Sequence, residues 1–220
     1  MDKRAYYRKP HVAEHYEGIR FSHSGGQRTH EVECEFVSSV FSKTDLVLDI
    51  ACGTARVLRD LRNRGGRVIG VDQSIQMLDQ SKTPQFLVQG NVFSLPFKAD
   101  SFDGAYCMRF TNHYKSLLPL FTEVRRVIKS GGCFVFDTMR WSPLIWDYWS
   151  EGGKNYFHSP TAVRGLLNNM GFRVVRHSPL FLMSPYLVSG FPGRVVDWIK
   201  KLKKFIPWAT AVEVWHVQKE

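Results

Sequence analysis

Short apolar runs alternate with segments of helical spacing from about residue 46 onward. The apolar runs at 46–50, 68–71, 86–88 and 102–108 are each followed by a polar turn or by residues with the spacing of an amphipathic helix. This alternation is typical of βαβ units, in which helices cover both faces of a mostly parallel sheet. The pattern therefore predicts an α/β fold of the doubly wound kind.

The alternation continues to the end of the chain, and two segments depart from it. The first 45 residues have helical spacing and are expected to cover a site as a lid. Residues 179–208 are expected to form an insertion before the last strand. The remaining predicted elements are helices at about 55–64, 117–128 and 161–170 and strands at 133–136, 172–175 and 211–217.

The turn after the first predicted strand is the most informative local feature. The strand runs into Asp49 and then into the small residues 51–53 before a helix begins. Small side chains let a ligand approach the backbone, and the amino end of the helix offers free N–H donors. Asp72 ends the second strand 19 residues after Gly53, where a carboxylate can bind both ribose hydroxyls of a nucleoside. A helix-capping role for Asp72 is the alternative, but Ser74 is available for it.

Five blocks of sequence carry a resemblance to a known family. In chain order they are residues 48–55, 68–74, 89–97, 101–103 and 123–132. With these blocks, the chain resembles the Rossmann-like S-adenosylmethionine-dependent methyltransferases, in particular the group that includes ubiquinone and menaquinone C-methyltransferases. The resemblance covers roughly residues 44–140.

The resemblance implies a fold and an activity. The fold would be a Rossmann-like, doubly wound sheet of seven mostly parallel strands, with helices on both faces and an antiparallel last strand. A single methyltransferase domain over residues 1–220 would comprise a helical cap (1–45), a cofactor-binding core (46–140) and the insertion (179–208). S-adenosylmethionine would be the cofactor and S-adenosylhomocysteine the product. The acceptor would be small and partly hydrophobic, such as a quinone, a phenol, a lipid or a natural-product-like molecule.

The resemblance also implies roles for residues around the first two strands. Asp49 and the turn of Ala51, Cys52 and Gly53 would hold the methionine end of the cofactor. Asp72 would bind the ribose.

Further roles follow for residues later in the chain. Gln73 would lie beside the adenine, and Asn91 and Val92 would flank it, with Asn91 bonded to its exocyclic amine. Met108 and Arg109 would lie near the sulfonium and the acceptor.

The resemblance also implies that two residues of the first segment, Tyr16 and Arg20, lie against the carboxylate of the cofactor. The chain departs from the family at Ala51 and Ala55, where glycine is usual, and at Asn91, where aspartate is usual. An alanine disfavours positive φ and adds a methyl group near the ligand. A non-catalytic, S-adenosylmethionine-binding regulatory protein is therefore one alternative function.

Methyl transfer from a sulfonium is an in-line displacement, so the protein chiefly aligns the reactants and excludes water. A base is needed only when the acceptor must lose a proton. His113 is the first candidate, because imidazole exchanges protons near neutral pH; a surface or helix-capping role is an equal alternative. Tyr114, Asp137 and Arg140 also follow strands, at the ends where open α/β sheets bind ligands.

The net charge of +10 is the one unusual bulk property. It favours an anionic partner, although scattered charge also serves solubility. Residues 194–208 have the pattern of a basic amphipathic helix, which predicts either peripheral contact with an anionic membrane or a lid helix with solvated lysines. An RNA methyltransferase is the second alternative function. Nucleic acid is not the favoured partner, because the chain lacks the N/D-P-P-[FYW] motif typical of enzymes that methylate base amines.

Other features exclude further classes. No apolar run approaches the roughly 20 residues that span a bilayer. The first residues also lack the apolar stretch of a signal peptide, so a cytoplasmic location is expected. The four cysteines form no C-x-x-C pair, and no metal site is predicted.

Overall fold

The computed structural model describes residues 3–142, 149–150, 153–181, 192–202 and 210–220. Three helices come first and pack next to one another, as the helical spacing of the first 45 residues predicts. Pro10 opens the second of them, at a position where its missing N–H costs nothing. These helices are α1 (Lys3–Tyr7), α2 (Pro10–Phe21) and α3 (Ser24–Ser38).

Seven strands form one sheet in the order β3-β2-β1-β4-β5-β9-β8. The last strand, β9, is antiparallel to both of its neighbours, and the other pairs are parallel. This confirms the predicted Rossmann-like, doubly wound fold with an antiparallel last strand. The strands are β1 (Leu46–Ile50), β2 (Arg67–Asp72), β3 (Leu87–Gln89), β4 (Phe102–Cys107), β5 (Ile128–Met139), β8 (Phe172–Phe181) and β9 (Val212–Lys219), and β6 (Trp149–Ser150) pairs with β7 (Gly153–Lys154) in a separate hairpin.

Helices cover both faces of the sheet. Because successive residues of a strand point to opposite faces, each strand contributes side chains to two hydrophobic cores. In β1, Leu48 and Ile50 join the core beneath the helices Leu118–Val127 and Pro160–Asn169, whereas Val47 joins the core beneath α3 and the helix Arg56–Asn63. The remaining helices are α4 (Arg56–Asn63), α5 (Ile75–Leu78), α6 (Leu118–Val127), α7 (Pro160–Asn169) and α8 (Gly193–Leu202), with short 3-10 turns at Pro84–Phe86 and Thr111–His113. The strand order reverses between β1 and β4, so a crevice opens at their carboxyl ends.

Strand β8 is longer than the sequence pattern predicts. It continues past residue 175 to Phe181 and pairs with β9 throughout, so the predicted end of this strand is wrong. Pro179 is tolerated because β8 is an edge strand, and the register shifts between Pro179 and Phe181. Three residues of the predicted insertion thus belong to the sheet.

The rest of that segment is described only in part, since residues 182–191 and 203–209 lie outside the described residues. Its central part is helix α8, which reaches α3 through an ion pair of 3.0 Å between Arg28 Nε and Asp197 Oδ1. Trp198 on α8 is 62% exposed. Within the described ranges, every helix is too short or too polar to cross a bilayer.

Candidate functional site

The turn between β1 and α4 is sharp and carries three residues with left-handed backbone. The φ angles are 58° at Ala51, 56° at Gly53 and 59° at Ala55. The Cys52 N–H donates to the Val71 carbonyl across 3.1 Å, which holds the turn beside β2. A left-handed conformation costs an alanine about 1–2 kcal/mol, so both alanines occupy positions that favour glycine.

Asp72 joins this turn to the end of β2. Its Oδ2 accepts the Gly53 N–H across 2.9 Å, and its Oδ1 accepts the Ser74 N–H across 2.9 Å. Burial raises the pKa of Asp72, and these backbone hydrogen bonds oppose that effect. Each oxygen retains a lone pair for a further donor. Ser74 caps α5 as predicted, with its Oγ accepting the Met77 N–H across 3.3 Å.

Asp49 lies under the turn at the end of β1 and is buried. Burial raises the pKa of Asp49 to about 8, against the opposing influence of the Tyr106 hydroxyl and of the Arg56 guanidinium. The carboxyl group is therefore mostly neutral near pH 7 when no ligand is bound. A cation placed beside it would favour the ionised form.

A cavity of about 910 Å³, counted out to its open mouth, lies at the carboxyl ends of β1, β2 and β4. Its wall includes eleven of the predicted site residues, which the fold brings together from five separate parts of the chain. These are Tyr16, Asp49, Ala51, Cys52, Gly53, Asp72, Gln73, Val92, Met108, Arg109 and His113. Their roles toward a cofactor stay predictions. Tyr114 lines the same cavity.

Other predicted residues are not among those that line the cavity. Arg20 is half-buried on α2. Asn91 is exposed, and its Oδ1 accepts the Phe93 N–H across 3.0 Å within its own turn. Asp137 is buried and accepts the Arg109 N–H across 2.7 Å, and Arg140 pairs with Glu213 across 3.0 Å.

Ala55 is also absent from the cavity wall. It is fully buried, in the core beneath α3 and α4. Its methyl group therefore does not narrow the cavity, whereas Ala51 lies on the wall.

A buried carboxylate on α3 ties this helix to the site, and sequence analysis missed it. Glu33 on α3 is 1% exposed and pairs with Arg56 Nη2 across 2.8 Å and with Arg109 Nε across 2.5 Å. The two guanidinium groups hold the pKa of Glu33 below its usual value, although burial opposes them. Arg56 also lies over the Phe21 ring, 3.9 Å from its centre. Arg56 and Arg109 both line the cavity.

Helix α1 contributes two more residues that sequence analysis missed, Lys3 and Tyr7. Both line the cavity. Lys3 is 6% exposed and donates to Asn155 Oδ1. The Tyr7 ring stacks on His113, with 5.6 Å between ring centres and 21° between planes. No local signal pointed to them, because Lys3 meets Asn155 and Tyr7 meets His113, each more than 100 positions away.

His113 is buried at Nε2, which finds no hydrogen-bond partner among the described residues. Burial, and to a lesser extent the charge of Lys3, hold the pKa of His113 well below 6.5. The imidazole is therefore neutral at physiological pH and resists taking up a proton. It is better suited to hydrogen bonding than to acting as a strong base. Within the described parts of the chain, no three His, Cys, Asp or Glu side chains are grouped to hold a metal ion.

Comparisons with known proteins agree with this geometry. Residues 48–136 match the sequence model of a family described as a methyltransferase domain. A demethylmenaquinone methyltransferase of Symbiobacterium thermophilum is 33% identical over 144 residues, which cover 56% of this chain and 54% of that protein. The chain spans about half the length of this relative, and less of several others.

Two solved structures share the fold. A protein of Thermotoga maritima, described as an S-adenosylmethionine-dependent methyltransferase and possible histamine N-methyltransferase, is 18% identical with a TM-score of 0.68, covering 100% of both chains. Geranyl diphosphate C-methyltransferase of Streptomyces coelicolor, solved with S-adenosylhomocysteine, is 18% identical with a TM-score of 0.65, covering 86% of this chain and 79% of that one.

Proposed function

We propose that the chain transfers a methyl group from S-adenosylmethionine to a small acceptor, and the match of residues 48–136 to a methyltransferase domain family supports this proposal. One observation carries the proposal. The Asp72 carboxylate and the Gly53 N–H, 2.9 Å apart, join two strand ends at the wall of one cavity beside the strand-order reversal. Nucleoside ligands of open α/β sheets bind at that place.

The chemistry of the cavity wall fits S-adenosylmethionine. Asp72 retains lone pairs for ribose hydroxyls, and Met77 and Val92 offer apolar contact for a purine. Asp49 supplies a carboxyl group for the cationic methionine end. A larger residue in place of Gly53 would be strained, because the φ there is 56° and a Cβ would lie in tight contact with Met77 Cε at 3.3 Å.

The bound cofactor would supply a methyl group already activated by the sulfonium, so the protein need not form a covalent intermediate. The residues of this chain would bind, align and keep water out. Tyr7 of α1 and Tyr16 of α2 line the cavity, which supports a part in this work for the predicted cap of residues 1–45. We propose that the cap and the core of residues 46–140 act as one methyltransferase domain.

The acceptor in this proposal is small and partly hydrophobic. Phe110 and Tyr114 give the cavity an aromatic wall. The proteins named above are methyltransferases of demethylmenaquinone, of geranyl diphosphate and possibly of histamine, according to their names, and all three acceptors are small molecules. An RNA methyltransferase would instead show strong, salt-sensitive binding of RNA. A regulatory protein would bind the cofactor without turnover on any acceptor.

Calorimetric titration with S-adenosylmethionine and S-adenosylhomocysteine tests the proposal. Asp72→Ala should weaken both ligands by about 10- to 100-fold, because it removes a charge-assisted hydrogen-bond acceptor. Asp79→Ala is the matched control, since Asp79 is exposed and is not among the residues lining the cavity. A wild-type protein that binds neither ligand, or equal affinities in the two variants, would contradict the proposal.

We also propose that α8 contacts an anionic membrane surface. Its support is the exposed Trp198 between the exposed cations Arg194 and Lys201, a combination suited to the lipid interface. Trp198→Ser should reduce sedimentation with phosphatidylserine-containing vesicles. The control is Trp141→Ser, because Trp141 is 61% exposed and lies outside α8. Equal sedimentation of both variants would favour an ordinary lid helix.

A further inference from the structure

A second cavity lies at the amino ends of β1 and β2, opposite to the cavity described above, which lies at their carboxyl ends. Its volume is about 530 Å³, counted out to its open mouth. The end of α3, the loop after it, the end of α4 and the first residues of β1 and β2 form its wall. Among the residues that the structure describes, none lines both cavities. The proposed methyl transfer therefore gives the second cavity no role.

The inner side of the second cavity is apolar. Val47, Leu61 and Val68 are buried members of the core beneath α3 and α4, and they also line this cavity. Phe41 adds an aromatic side. Its ring lies close to the sheet because residue 104 is a glycine, where a Cβ would clash with the ring. Water is held poorly by such a surface, so an aliphatic chain in its place would be stabilised.

The mouth of the second cavity is cationic. Lys43, Arg64 and Arg67 line it and are exposed, whereas none of the lining residues in the described part of the chain is Asp or Glu. Arg64 is already paired with Asp60, with 2.9 Å between Nε and Oδ2. An apolar interior behind a cationic mouth suits a molecule with an aliphatic chain and an anionic head.

The other two cations are available to an anion. Lys43 forms no ion pair with any residue in the described ranges. Arg67 donates one N–H to the Thr44 carbonyl across 3.2 Å and has further donors. The charge of Arg67 also acts on Asp103, which is bonded to Lys129 across 2.7 Å. Lys43 is thus the lining cation without a carboxylate beside it, and one such charge matches a head group with a single negative charge.

We propose that the second cavity binds a fatty acid of medium length, with its aliphatic chain against the apolar inner side and its carboxylate at Lys43 and Arg67. An arginine can bond both oxygens of a carboxylate, and a lysine adds a point charge. The site is separate from the proposed active site, so its existence does not depend on the methyltransferase activity.

Calorimetry with octanoate, butyrate and octanamide tests the two parts of this assignment. Octanoate should bind at least tenfold more tightly than butyrate, because each further methylene group buries apolar surface. It should bind about threefold or more tightly than octanamide, which has the same chain without the charge. This second ratio is modest because the cations lie at an exposed mouth, where ion pairs are screened by water.

Two pairs of variants locate the binding site. Lys43→Glu should abolish the preference for octanoate over octanamide, whereas Lys82→Glu should keep it, because Lys82 is exposed and is not among the lining residues. Ser38→Trp fills the cavity from the end of α3 and should weaken both ligands at least tenfold. Its matched control is Ser39→Trp, since Ser39 is exposed and does not appear among the lining residues.

Urea unfolding of each variant shows whether it is folded, and Lys43→Glu changes only an exposed side chain, so it keeps the test decisive if Ser38→Trp fails to fold. Equal affinities for octanoate and butyrate would overturn the proposal. So would octanoate binding that Lys43→Glu leaves unchanged, because the acid would then be bound elsewhere. Tighter binding of octyl phosphate than of octanoate would overturn the assignment of a carboxylate head group.

Discussion

Glu33 joins two arginines that the chain places far apart, Arg56 after β1 and Arg109 after β4. The substitution Glu33→Gln keeps the shape of the side chain but removes its charge. The amide group also presents N–H donors to a guanidinium group that has only donors. Because the side chains of Arg56 and Arg109 are only 10% and 9% exposed, neither cation can regain full hydration without local unfolding.

The expected loss of stability follows from this burial. Removing one partner of a buried ion pair costs about 3–5 kcal/mol, because the remaining charge is left uncompensated. Glu33 serves two cations, so we expect a decrease of about 4 kcal/mol in the free energy of unfolding. Such a loss is a large fraction of the total of about 5–15 kcal/mol that a domain possesses.

Urea unfolding followed by circular dichroism measures this quantity. Glu35→Gln is the matched control, because Glu35 is exposed on the same helix two residues away, and it should change stability by less than about 0.5 kcal/mol. A decrease below about 1 kcal/mol for Glu33→Gln would refute the reasoning. It would mean that water reaches both guanidinium groups once the carboxylate is removed.

The pH dependence offers an independent check. The pKa of Glu33 in the folded protein lies below its ordinary value of 4.5. The unfolded chain therefore binds the proton more readily, and Glu33 stabilises the fold at pH values above 4.5 but not below its folded pKa. The difference between wild type and Glu33→Gln should shrink as the pH falls through that window. A constant difference would contradict the charge-based explanation.

Two further predictions concern the turn and Asp49. Ala51→Gly should stabilise the protein by about 1 kcal/mol in urea unfolding, since it relieves a left-handed alanine. Ala55→Gly should change the free energy of unfolding by less than about 0.5 kcal/mol, because this variant also loses a buried methyl group worth about 0.8 kcal/mol. A larger gain in stability for Ala55→Gly than for Ala51→Gly would contradict this account. Because the pKa of Asp49 is about 8 without ligand, binding of cationic S-adenosylmethionine near pH 7 should release a proton. Calorimetry in buffers of different ionisation enthalpy detects that release, which Asp49→Asn should abolish; equal enthalpies for the wild type would exclude it.

The sequence by itself determined the order of the main strands and helices and, at the cavity wall, the turn after β1 and the carboxylate that ends β2. These features depend on short-range patterns: the apolar runs, the small-residue turn at 51–53, and Asp72 at the end of the next strand. Parallel strands bring their carboxyl ends to one edge of the sheet, so the sequence predicts that Asp49, Gly53 and Asp72 lie together.

Tertiary packing alone decided the rest. Glu33 meets Arg56 and Arg109 across 23 and 76 residues of chain, and Lys3 meets Asn155 across 152. Local periodicity carries no information about such partners, because they depend on how the first three helices pack over the sheet. The same packing directed the Ala55 methyl group into the core and extended β8 to Phe181, where pairing with β9 outweighs the weak strand preference of proline. The local pattern thus specified the turn and the strand ends at the cavity, and long-range contacts specified which residues of the first helix, Lys3 and Tyr7, line it.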